Sequence, residues 1–127
     1  MDLNPKFVFL SPARDSEPGA RATIAEHVDH AIIALDGRAP VGGTCTVELL
    51  EPLFGADVLR VELWVSDLDD TTCTYGFLCS SDDGRTPYAR GERCVVNVDP
   101  HSRRVERWSR DYVASHEALR KDLPAYA

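Results

Sequence analysis

One feature constrains this chain more than any other: its hydrophobic period changes once, and sharply. Across residues 20–36 (ARATIAEHVDHAIIALD), Ile24, Val28, Ala31 and Leu35 recur at helical spacing and make one apolar face. From residue 43 the period drops to two. In TCTVELL, Cys45, Val47 and Leu49 alternate with Thr44, Thr46 and Glu48. A single apolar helix followed by alternating strands has one economical packing, with the helix laid on a sheet that curls round it.

The punctuation agrees with this reading. Pro18 and Gly19 precede the helix, and Gly37 and Pro40 close it. Ile24, Val28, Ile32 and Ile33 are β-branched and lower its local propensity, so packing must hold it. Apolar residues cover more than half its circumference, which predicts a buried central helix rather than a surface one.

Residues 6–10 (KFVFL) predict a short first strand, and SPARDSEPGA after it a loop. Residues 58–68 put Leu59, Val61, Leu63 and Val65 on one face, and residues 72–81 do the same with Cys73, Tyr75, Phe77 and Cys79. Asp82-Asp83-Gly84 is a hairpin signal, because Gly accepts positive φ at little cost. Residues 86–98 return as a strand. Tight turns require antiparallel neighbours, so the strands after the helix predict a four-strand meander. Residues 109–122 predict a second, more polar helix with Ser109 as its cap. The expectation is one α+β domain over residues 1–127.

Charge narrows the function. The formal net charge is −7, which argues against nucleic acid as a main partner. The one basic cluster, Arg103, Arg104, Arg107 and Arg110, reads as a solvated face or as a contact for carrier phosphates. Cys45, Cys73, Cys79 and Cys94 form no CxxC pair and no zinc spacing, so they are expected in the core of a reduced, cytoplasmic protein with no bound metal. No stretch has the length and apolarity to span a membrane, and residues 1–10 do not read as a signal peptide.

The layout resembles the hot-dog thioesterase superfamily. Residues 19–65 are similar to the helix and following strands of its phenylacetate-pathway branch. The matching features are Gly19, the segment His27-Val28-Asp29-His30-Ala31, and the turn Leu50-Glu51-Pro52-Leu53. Residues 89–100 resemble the closing strand of its 4-hydroxybenzoyl-CoA thioesterase branch. Where the family usually has a His-Gly-Gly turn before the helix, this chain has Arg14-Asp15-Ser16-Glu17-Pro18-Gly19-Ala20. In a second register, His27-Val28-Asp29-His30 resembles a G-H-V-N-N segment, and Thr23 then stands where that branch carries its catalytic Asp. That register leaves too few residues for the helix, so the first is preferred.

The resemblance implies an acyl-CoA or acyl-carrier-protein thioesterase with no cofactor beyond the substrate's own CoA. It implies a homodimer or homotetramer with the site between subunits. Asp29 becomes the candidate base or nucleophile, and Gly19 and Ala20 the candidates for a carbonyl-binding amide at the helix N-terminus. Glu26 is the alternative acid, against an ordinary reading as a solvated side chain. His30 and His27 flank Asp29 as candidate hydrogen-bond partners or proton carriers. Thr44 and Thr46 are candidates to hold the catalytic water. Two other functions stay open: a dehydratase or hydratase pairing an acid with a His, and a non-catalytic acyl-thioester-binding domain.

Overall fold

The computed structural model describes residues 6–12, 20–53 and 58–120. In chain order the elements are β1 (Phe7–Pro12), α1 (Ala20–Asp36), β2 (Cys45–Leu49), β3 (Val58–Leu68), β4 (Thr72–Ser81), β5 (Pro87–Val96) and α2 (Arg110–Glu117). The strands form one antiparallel sheet in the order β1-β3-β4-β5-β2, with α1 packed across it. This is the α+β hot-dog architecture that the sequence resemblance implied.

Alternation along each strand assigns its faces. Leu63 pairs with Phe77, and Phe77 with Gly91, on the face towards α1. Ile24, Val28, Ala31 and Ile32 of the helix meet Leu59, Val61, Leu63 and Val65 of β3 and the apolar residues of β4 in one core. Each larger side chain so buried contributes about 1.5–3 kcal/mol, which offsets the weak helix propensity of the β-branched run. The hairpin from β4 to β5 turns at Gly84, whose φ is 78°. Asp83 braces that turn by accepting from Ser81 Oγ at 2.6 Å and from the Arg85 amide at 2.9 Å.

Several expectations are corrected. The four-strand meander holds only for β3, β4 and β5. β2 crosses to the far side of β5, pairing Val47 with Gly91 and Cys45 with Arg93. Residues 50–57, with Pro52 among them, are too long for a tight hairpin, so β2 is free to take a distant partner. α1 is buried on one face only: Ile24, His27, Val28, Ala31 and Ile32 are inside, but Ile33 is 40% exposed. Of the cysteines, Cys73 and Cys79 are core residues, whereas Cys45 is exposed and Cys94 half-buried. The reason is position: Cys45 lies on an edge strand, and Cys94 sits opposite Thr74 on the sheet's outer face.

The second helix ends at Glu117, earlier than expected, and residues 121–122 of that expectation lie outside the described residues. Ser109 caps it as expected, accepting from the Tyr112 amide at 3.1 Å. Beyond the helix, the Leu119 carbonyl accepts from the Val65 amide at 2.9 Å, taking the edge of β3 past the point where β1 stops. Trp108 is a packing residue, 9% exposed, with its indole N–H donating to Thr72 O at 3.1 Å. Arg103, Arg104, Arg107 and Arg110 are all exposed. No helix among the described residues is long and apolar enough to cross a membrane.

Candidate active site

Asp29 leaves the side of α1 that faces β5 and the edge strand β2. Its Oδ1 accepts from Arg93 Nε at 3.1 Å. Arg93 occupies a position on β5 that faces the helix, across the ladder from Cys45 on one side and Tyr75 on the other. Its Nη1 also donates to the carbonyls of Gly42 and Cys94, both at 2.6 Å. The arginine side chain is 11% exposed and the aspartate 38%, so a nearly buried cation holds a carboxylate that reaches solvent. Among the described residues, the second oxygen of Asp29 accepts no hydrogen bond.

Cys45 stands beside this pair, which raises the question of a thiolate nucleophile. Although the residue is exposed overall, partial desolvation of its sulfur raises the thiol above the ordinary value, Arg93 pulls it down by less, and Asp29 adds to the rise. The group stays a protonated thiol at neutral pH, a poor nucleophile.

The start of α1 lies against the same edge. Ala20 is its first residue and is exposed. Arg21 donates to the carbonyl of Val47 on β2 and so ties the first turn to the edge strand. No acidic side chain occupies that turn, which leaves the partial positive charge of the helix end unopposed from within. Gly19 and the altered turn before it lie outside the described residues.

The other candidates point elsewhere, because a helix turns about 100° per residue. Glu26 is exposed and His30 half-buried, and the two face each other at 3.9 Å, an ordinary pair four residues apart. His27 turns towards β1, where its Nδ1 lies 2.5 Å from Ser11 Oγ in a buried polar contact. Burial lowers the basicity of His27, nearby His30 lowers it further, and Glu26 partly opposes them. The His27 and His30 rings meet edge-on with centroids 6.0 Å apart, whereas Asp29 turns away from both to Arg93.

The threonines also separate. Thr44 is exposed next to Cys45, and its carbonyl accepts from the Cys94 amide at 2.8 Å. Thr46 faces outward opposite Glu92, on the far side of the sheet from Asp29. There it lines an open cavity of about 610 Å³ with Trp64, Leu78, Arg90 and Glu92. The Trp64 ring fills the space above Gly76, where a Cβ would lie 2.2 Å from the indole nitrogen. Arg90 on its rim pairs with Glu48 at 2.7 Å, and that bond lowers the Glu48 carboxyl and raises Arg90.

Sequence reasoning missed Arg93 and Ser11. Each had a legible signal, a polar residue at a helix-facing position of a strand whose neighbours in register are apolar. Among the described residues, no group of three His, Cys, Asp or Glu side chains is placed to hold a metal.

Residues 9–119 match the sequence profile of the thioesterase-like superfamily. No curated protein matches the chain. Among solved structures, a predicted thioesterase from Bacillus stearothermophilus is 16% identical with a TM-score of 0.73, covering 94% of this chain and 99% of its own. SAV2348 from Staphylococcus aureus, solved in complex with CoA, is 15% identical with a TM-score of 0.69, covering 97% of this chain and 90% of its own. Slr0204 from Synechocystis, a 1,4-dihydroxy-2-naphthoyl-CoA thioesterase, is 14% identical with a TM-score of 0.63, covering 91% of this chain and 98% of its own. At these identities the likeness establishes the shared fold.

Proposed function

The chain belongs to the thioesterase-like superfamily, and on that premise we propose that it hydrolyses acyl thioesters of CoA or a carrier protein, with Asp29 as the general base. The observation that carries this reading is Asp29 itself: a half-exposed carboxylate, anchored by one oxygen to Arg93, at the border where β2 ends the sheet. Two relatives support the substrate class, one solved with CoA and one named as a CoA thioesterase.

In the proposed reaction, amide N–H groups at the start of α1, with Gly19 and Ala20 as the candidates, donate to the thioester carbonyl oxygen as charge develops on it; Asp29 lies about 13 Å further along its own helix, so the helix start of one copy serves the Asp29 of another. Asp29 takes a proton from water, and the resulting oxygen nucleophile adds to the carbonyl carbon. The C–S bond then breaks, the thiolate takes up the proton, and a carboxylic acid and a free thiol leave. If Asp29 attacks directly instead, an anhydride forms first and water opens it to the same products.

The site lies at an open border. β2 pairs with β5 on one side and is the last strand of the sheet on the other. Leu49 and Leu50 at its end are 40% and 36% exposed. We assign a second copy of the chain to this edge, in a homodimer or a tetramer of such dimers, because an unpaired edge strand with exposed leucines favours pairing.

One observation favours a second reading. The Asp29–Arg93 pair also serves as a tie between helix and sheet, which suits a non-catalytic acyl-thioester-binding domain. The lyase alternative loses ground, because His27 faces β1 and not Asp29. The test is a panel of aryl- and aliphatic-CoA esters followed by free-thiol release, with mass analysis for hydration of enoyl-CoA. Turnover supports the hydrolase. Tight binding without turnover supports the binding domain, and addition of water across the double bond supports the lyase.

A further inference from the structure

The outer face of the sheet, on the side away from α1, carries its own pattern. Strand pairing sets its side chains in rows that run across the strands. One row holds Glu62, Leu78, Arg90 and Glu48, and the next holds Trp64, Gly76, Glu92 and Thr46. The open cavity of about 610 Å³ is lined by members of both rows.

Within the cavity the chemistry has a definite order. The Trp64 ring lies over Gly76, with Leu78 next along the same face of β4. Arg90 is exposed, and its Nε and Nη2 donate to the two oxygens of Glu48 at 2.7 and 3.4 Å. Glu92, two residues on, is also exposed and accepts from Ser66 Oγ at 3.0 Å. Side chains two residues apart on one face of a strand are about 7 Å apart. β5 therefore presents a cation beside an anion, and β4 presents a bulky apolar residue beside a flat indole.

That order is its own complement. A half turn about an axis that runs across the strands, between the two rows, exchanges one row with the other. In a second copy so placed, Arg90 of each chain stands over Glu92 of the other. Leu78 of each then meets the Trp64 ring that covers Gly76 of the other. Glu48 engages Nε and Nη2 of Arg90, which leaves Nη1 for the second carboxylate. We propose that the outer face of the sheet binds a second copy of the chain in this arrangement, sheet against sheet.

Size and position favour a second copy over a small ligand. The five strands make a face of up to roughly 650 Å², at about 3.3 Å per residue and about 4.8 Å per strand, close to the ~800 Å² per partner of a stable interface. The axis crosses β2 between Thr46 and Glu48, at the level of Val47. The β2 edge pairing proposed above, centred on Val47, has an axis that meets this one. The two contacts then close a tetramer instead of propagating as a filament. That closure rests on the edge pairing; the face contact does not.

The test is sedimentation velocity of the whole protein and three variants. Arg90→Glu should halve the mass of the assembly, from tetramer to dimer where β2 edges pair and from dimer to monomer where they do not. Leu78→Lys, which leaves the bond between Arg90 and Glu48 in place, should do the same. Adding Glu48→Arg and Glu92→Arg to Arg90→Glu reverses every pair, within and between copies, and should restore the mass. A natural chain that stays monomeric, its cavity left to a small ligand, overturns the proposal. So does a mass that either single variant leaves unchanged, or a triple variant that stays at half mass. None of these outcomes depends on hydrolysis, so the contact and the proposed reaction stand or fall separately.

Discussion

Arg93 Nε stands 3.1 Å from Asp29 Oδ1, and the same guanidinium holds the carbonyls of Gly42 and Cys94. One side chain thus fixes the proposed base and fastens the loop before β2 to β5. Position and stability are coupled at this corner.

Replacing Arg93 by Met separates the two effects. The loss of donors to two carbonyls and a carboxylate should cost about 1–3 kcal/mol, towards the lower figure because Asp29 reaches water. Urea unfolding measures it. A midpoint equal to that of the natural chain would show that the pair contributes nothing to stability.

Gly91→Ala is expected to be worse than an ordinary surface change. A Cβ there would lie 1.9 Å from the Thr46 carbonyl oxygen and 2.9 Å from the Phe77 ring. Backbone on one side and a core aromatic on the other cannot give way cheaply, so β2 must move off β5. A loss of about 1–3 kcal/mol or more is expected, with β2 amides losing exchange protection first. Unchanged protection in β2 would contradict this register.

The Ser11–His27 contact predicts a pH effect on stability. Burial, with His30 adding to it, lowers the folded-state value of His27 below its ordinary one. A depressed value means that the unfolded chain binds the proton first on acidification. The stability is therefore complete above about pH 6.5 and is lost as pH falls through the folded value. Urea titrations of His27→Gln and the natural chain should converge in their pH dependence above that point and diverge below it. Parallel curves throughout would remove His27 from the account.

The bounds of α1, the faces of β3 and β4 and the Ser109 cap were legible because each depends on local periodicity or capping chemistry. The place of β2 was not. Alternation says which way Val47 points, but pairing with Gly91 rather than a β3 residue is a long-range choice. The exposure of Cys45 follows from that choice. At the candidate site, the family resemblance pointed to Asp29 and the helical wheel put it beside the apolar stripe, whereas its separation from His27 and Thr46 was not legible. Helix rotation sends His27 to β1, and strand alternation sends Thr46 to the outer face. Arg93 needed the tertiary fold, because its partner lies 64 residues away.

The proposed hydrolysis depends on one carboxylate, and Asp29→Asn isolates it, since the amide oxygen can still accept from Arg93 while the base is gone. With an acyl-CoA ester that the natural chain hydrolyses, kcat should fall by about a hundredfold or more while the urea midpoint changes little. A variant that keeps its full kcat would contradict the role given to Asp29.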